Sequence, residues 1–180
     1  MKFLGPDLEA VRLALQTEGA VLEGPRQLET NDVFDDEHST LATSGRLLRL
    51  RDGHELTVKL PIDDDAFKAR QEINFHVVEP GVDLLLAGLG YRKVFRYEKY
   101  REGWDLEGMW ITLDELPFIG GVVEIEGDRD RILPIAERIG LGGHSTSTAN
   151  YRGLYLDWAR QRGVDAGDLT FAAERGETGD

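Results

Sequence analysis

Leu48-Arg49-Leu50-Arg51-Asp52-Gly53-His54-Glu55-Leu56-Thr57-Val58-Lys59-Leu60 is the stretch on which the fold turns. Leucine or valine takes every second place on both arms, and the places between hold Arg49, Arg51, Glu55, Thr57 and Lys59. Strand side chains point alternately to two faces, so each arm has one aliphatic and one charged face. Asp52-Gly53 is a pair favoured in tight turns, and the stretch is predicted as a β-hairpin.

The same alternation recurs along the chain. Arg70, Glu72, Asn74 and His76 alternate with Gln71, Ile73, Phe75 and Val77. Lys99 and Arg101 share a face, as do Trp110, Thr112 and Asp114, and Glu124 and Glu126 stand opposite Val123 and Ile125. For one strand, a solvated sheet face over an apolar core accounts for this. Across six strands the polar faces are dominated by Arg and Lys on some and by carboxylates on others, which a solvated face does not require. A closed barrel would turn these groups into a lumen suited to a ligand with many negative oxygens. Arg binds phosphate through a planar fork and Lys as a point charge. Carboxylates fit such a ligand only through a divalent cation.

Strands are predicted over residues 27–35, 45–51, 55–60, 69–78, 94–102, 110–116 and 121–127. Helices are predicted after the Asp7 cap, over 82–89, 131–139 and 149–162. Asp63-Asp64-Asp65 marks an exposed loop. No linker divides the chain, so one domain over residues 1–162 is expected, followed by a loosely held, acidic, Gly-rich tail over 163–180.

Composition sets the outer limits. The chain has 180 residues and a formal charge of −13. Five basic residues are Lys and sixteen are Arg, a balance that fits a high-salt cytoplasm or a GC-rich genome. The absence of cysteine excludes a disulfide framework, a Cys nucleophile and Cys-ligated metals. No apolar run approaches the roughly 18–20 residues of a membrane span, and the first residues lack a signal-peptide core. A soluble, cytoplasmic protein with no membrane partner is expected. Residues 41–101 carry eleven basic and nine acidic groups, and the remainder ten and 25. So acidic a chain should repel nucleic acid unless its cations are gathered locally, and they are gathered in that one segment.

The order Arg49-x-Arg51, Lys59, Arg70-x-Glu72, Lys99-x-Arg101, Asp114 and Glu124-x-Glu126 resembles the CYTH domain, the triphosphate tunnel metalloenzymes, from about Lys2 to Leu154. Its spacing is most similar to class IV adenylate cyclases, and Asn150-Tyr151-Arg152-Gly153-Leu154 resembles a region near their end. The resemblance implies an α+β fold: a closed or nearly closed eight-stranded antiparallel β-barrel, a tunnel, with helices packed outside. It implies a triphosphate ligand (ATP, tripolyphosphate or thiamine triphosphate), Mg²⁺ or Mn²⁺, and is compatible with a homodimer. By analogy, Arg49, Arg51, Lys59, Arg70, Lys99 and Arg101 would hold phosphate oxygens. Glu124, Glu126 and Asp114 would ligate the metal, and Lys2 and Lys59 would serve the chemistry. The family opens with Glu-x-Glu-x-Lys. Lys2 fits that lysine and Met1 the x before it, so the expectation is a start placed too late, with a Glu pair encoded upstream.

Three functions follow. An adenylate cyclase would convert ATP to cyclic AMP and pyrophosphate; an inorganic or thiamine triphosphatase would use water as the nucleophile. A non-catalytic nucleotide or polyphosphate binder would keep the basic wall without a full metal site. A bland alternative is a barrel whose charges form structural ion pairs. His38, His54, His76 and His144 show no ligand spacing, the Gly120-Gly121 and Gly140–Gly143 runs read as turns, and Trp104 and Trp110 read as packing residues.

Overall fold

In a computed structural model, residues 1–62, 70–78 and 80–177 are described. Among them the chain runs β1 (Lys2–Leu4), α1 (Leu8–Thr17), β2 (Val21–Asp35), α2 (Thr40–Thr43), β3 (Leu47–Arg51), β4 (Glu55–Pro61), β5 (Arg70–His76), α3 (Val82–Gly88), β6 (Arg92–Leu106), β7 (Met109–Leu116), β8 (Gly120–Glu126), α4 (Arg129–Arg138), β9 (Ser145–Ser147), α5 (Tyr151–Arg162) and α6 (Phe171–Glu174). The fold is α+β around an antiparallel sheet of order β5-β4-β3-β2-β6-β7-β8-β1-β9. The family resemblance implies eight strands. The ninth is β9, whose Ser147 pairs with Lys2. The order has two ends where a closed barrel was expected. β9 is only three residues long, and the chain soon enters α5, capped by the Asn150 side chain. The expected Asp63–Asp65 loop lies outside the described residues. Among the described residues, no helix is long and apolar enough to cross a membrane.

The chain forms two compact units, one of residues 1–28 and 98–180 and the other of residues 29–97, with β2 and β6 contributing to both. In the first unit, the aliphatic side of β6, β7, β8 and β1 presents Trp104, Ile111, Leu113, Val123, Ile125 and Phe3. Val11 and Leu15 of α1, and Ile132, Ile135 and Ala136 of α4, close over them. Burial of this apolar surface is the main force holding the unit together. Asp7 caps α1 by accepting from the backbone of Glu9, as its position in the sequence predicts.

Within the segment expected as a loose tail, Leu169 to Glu174 is anchored. Leu169 is fully buried, its carbonyl accepts from the Glu98 backbone at 2.8 Å, and Phe171 lies against the Tyr100 ring. The Phe118 backbone donates to Glu174 at 2.7 Å. One buried leucine, one aromatic contact and two hydrogen bonds hold a segment whose overall composition reads as polar.

In the second unit, Phe34, Leu48, Leu50 and Leu86 form a smaller core with Leu56, Val58 and Val82. Asp52 and Gly53 both take positive φ, 49° and 74°, at the tip between β3 and β4. Arg51 pairs with Glu55 and Leu47 with Lys59 in register, so the predicted hairpin is present with its charged residues on one face.

Candidate functional site

The charged face of the first unit is built from four strands and a helix. Lys2 lies opposite Glu124, Thr112 opposite Glu124, and Arg101 opposite Asp114 in the ladders. Lys2 Nζ donates to Glu124 Oε1 at 2.7 Å. Arg101 grips Asp114 through two parallel bonds, Nε to Oδ1 at 2.7 Å and Nη2 to Oδ2 at 2.6 Å, the geometry that gives a guanidinium–carboxylate pair its strength. Arg101 Nη2 also reaches Glu124 Oε2 at 3.3 Å. Lys99, only 1% exposed, places Nζ 3.4 Å from Asp114 Oδ2. The Tyr151 hydroxyl donates to the same oxygen.

Asp114 is wholly buried, which by itself would push its carboxyl upward. The Lys99 and Arg101 charges, with bonds from Arg101 and Tyr151, outweigh that and hold it well below the usual carboxylate range. Burial acts the same way on Glu124 and is outweighed by Lys2 and Arg101. Burial, then the Asp114 and Glu124 charges, drives the Tyr151 phenol well above its ordinary value, so it stays a donor. Glu126 lies two places along the same face of β8, exposed and opposite Trp110.

The second unit has its own cationic face. Arg51 sits between Glu55, at 3.2 Å, and Glu29, at 3.5 Å. Lys59 Nζ pairs with Glu72 of β5. Arg49 differs. It is 5% exposed, yet its Nη2 donates to Thr57 Oγ1 at 3.1 Å and its Nη1 to Tyr97 Oη at 3.4 Å, both neutral groups. Its ion pair with Glu55 is long, 3.8 Å. Arg49 Nε, Arg51 Nε and Asn31 Oδ1 are buried without a hydrogen-bond partner. Arg70 is placed only by its backbone, opposite Pro61; its side chain lies outside what is described.

The structure thus gathers Lys2, Lys99, Arg101, Asp114 and Glu124 in one unit, and Arg49, Arg51 and Lys59 on one face of the other. Asp114, expected as a metal ligand, has its oxygens taken by three donors. Among the described residues, no three His, Asp or Glu side chains converge with metal-ligating geometry. Divalent ions need several free oxygen donors, and these residues alone do not supply them. Tyr151 was not among the expected site residues. The Asn150–Leu154 resemblance signalled the segment, but no spacing rule points a residue at the start of a helix toward a strand face.

The CYTH domain profile matches residues 1–133. No curated protein matches the chain. Among solved structures, a candidate adenylate cyclase from Vibrio parahaemolyticus superposes with a TM-score of 0.72 at 20% identity, covering 86% of this chain and 94% of that one. A Pyrococcus horikoshii protein gives 0.70 at 22% identity, covering 85% and 96%. A candidate adenylyl cyclase of Hippeastrum, described with a dominant triphosphatase activity, gives 0.63 at 16% identity, covering 92% and 96%. At these identities the likeness speaks for the fold. The profile match extends over most of the chain and takes in both cationic faces, and by it the chain belongs to the CYTH domain family.

Proposed function

We propose that this protein is an enzyme acting on a triphosphate, and that its reaction is the conversion of ATP to cyclic AMP and pyrophosphate. Arg49 carries the proposal. A guanidinium this deeply buried, bonded to neutral groups and keeping an unused buried Nε, is costly unless an anion completes it. Phosphate oxygens match that geometry. Arg49, Arg51 and Lys59, and Lys99 and Arg101, are the residues we assign to phosphate oxygens. Lys2 and Lys59 are assigned to the charge that develops during the reaction.

In cyclisation, the ribose 3′ hydroxyl gives its proton to water and bonds to the α-phosphorus, while the bond to the bridging oxygen breaks and pyrophosphate leaves with that oxygen. Fixed cations that meet charge as it grows on phosphoryl oxygens are the dominant means of lowering that barrier. Mg²⁺ or Mn²⁺ belongs to this reading as the ion that accompanies a triphosphate in solution. The tunnel form of the sheet is part of the same proposal. Triphosphate hydrolysis is the second reading, favoured by the activity described for the Hippeastrum protein. The same cations would serve it, since they grip the substrate and do not choose the nucleophile.

The test is incubation of the full chain with ATP, tripolyphosphate or thiamine triphosphate, each with Mg²⁺ and with Mn²⁺, followed by chromatography. Cyclic AMP and pyrophosphate are expected from ATP. ADP or phosphate would replace cyclisation by hydrolysis, and saturable binding without turnover would make the protein a binder. Absence of binding by all three would overturn the triphosphate reading.

A further inference from the structure

Tyr151 is the first residue of α5, and the turn that carries it is fixed by its neighbour. Asn150 caps the helix, its side chain accepting from the Gly153 backbone at 2.8 Å. The capped turn brings the Tyr151 ring, itself buried, down on the charged face of the first unit. There it meets three of the charged groups at once. Its hydroxyl donates to Asp114 Oδ2. Lys99 Nζ stands 4.9 Å from the ring centroid and Lys2 Nζ 5.3 Å from it. Both distances lie within cation–π range. Asp114 in turn holds Arg101, and Lys2 holds Glu124. One side chain from a helix therefore touches both lysines and the carboxylate that orients the arginine.

Lysine has a flexible stem and a point charge, and where its ammonium rests depends on what surrounds it. An aromatic face is a directional seat for such a group. A hydroxyl donor on Asp114 leaves that carboxylate one orientation, and Arg101 follows it. We propose that Tyr151 is the positioning residue of this cluster: its ring seats Lys2 and Lys99, its hydroxyl fixes Asp114 and so Arg101, and α5 thereby sets where these cations meet a triphosphate. The inference rests on the triphosphate reading above.

The full chain, Tyr151→Phe and Tyr151→Leu are compared for tripolyphosphate affinity by calorimetry at pH 7, with thermal melts of each and NMR of the lysine CεH₂ groups. Phe keeps the seat and loses the hydroxyl, so affinity should fall by up to about tenfold. Leu loses both, and the fall should reach about a hundredfold. Upfield ring-current shifts of two lysines should persist in the Phe variant and vanish in the Leu variant. A residue that served only packing would lower the melting temperature while leaving the affinity of the folded protein unchanged. Wild-type affinity in a folded Leu variant overturns the proposal. If that variant does not fold, undiminished affinity in the Phe variant overturns it. A wild-type protein that binds no tripolyphosphate defeats the triphosphate reading itself, and is told apart because the parent chain already fails.

Discussion

A nearly buried guanidinium needs an answer to its charge, and Arg49 has neutral groups at hydrogen-bonding distance and a carboxylate only at 3.8 Å. Replacing a poorly paired buried ion with an apolar side chain of similar length often stabilises by about 1–4 kcal/mol. Arg49→Met is therefore expected to raise the melting temperature and to abolish the further rise that tripolyphosphate produces in the wild type. Thermal melts with and without tripolyphosphate check both halves; a variant that melts lower and still responds to the ligand contradicts the role. Asp114→Asn acts in the other direction. It leaves Lys99 and Arg101 facing a neutral amide, and a cost of about 3–5 kcal/mol is expected from denaturant unfolding at pH 7. Both residues were legible as charged-face positions from alternation alone. Their opposite roles were not, because they depend on which partners the other strands and α5 bring to each.

Elements follow the alternation closely, and their ends are where it failed. The strand predicted over 94–102 continues as β6 to Leu106, with Gly103 inside it. The reason is the indole of Trp110. A Cβ at Gly103 would stand 2.4 Å from a Trp110 ring carbon, so the glycine makes room for the ring, a use of glycine in a strand that propensity does not register. Trp110 remains 37% exposed on that face, whereas Trp104 is in the core. Gly103→Ala is expected to destabilise by about 1–3 kcal/mol through overpacking. Trp110→Ala should cancel most of that loss in the double variant, a coupling that a double-mutant cycle in urea measures. Additive costs would mean that the two residues do not compete for space.

At the scale of the whole molecule, acid response reports on the charged face of the first unit. Asp114 and Glu124 are both held below their ordinary values of 3.8 and 4.5. A carboxyl depressed in the folded state stabilises fully at neutral pH, and that stabilisation is lost as pH falls from its unfolded value through its folded one. The melting temperature should hold above about pH 5 and decline steeply below about pH 4.5. Glu124→Gln should lower the plateau and flatten part of the acid limb. An unchanged acid limb in that variant would show that Glu124 is not held as described. The C-terminal segment is part of this stability too: Leu169→Ala removes a fully buried side chain, and a loss of about 2–5 kcal/mol is expected.

Sequence by itself determined the two-faced strands, the hairpin at Asp52-Gly53, the capped first helix and the list of cations and carboxylates that share faces. These depend on local periodicity, and periodicity is written in the chain. Tertiary structure alone decided that the sheet has nine strands among the described residues, that Leu169 anchors its part of the C-terminal segment, that Asp114 is saturated by Lys99, Arg101 and Tyr151, and that Arg49 has neutral groups at hydrogen-bonding distance and its carboxylate only at 3.8 Å. Each of these turns on contacts between residues distant in sequence. Whether a charge is answered or left waiting is a property of its surroundings, and a chain read residue by residue holds no record of them.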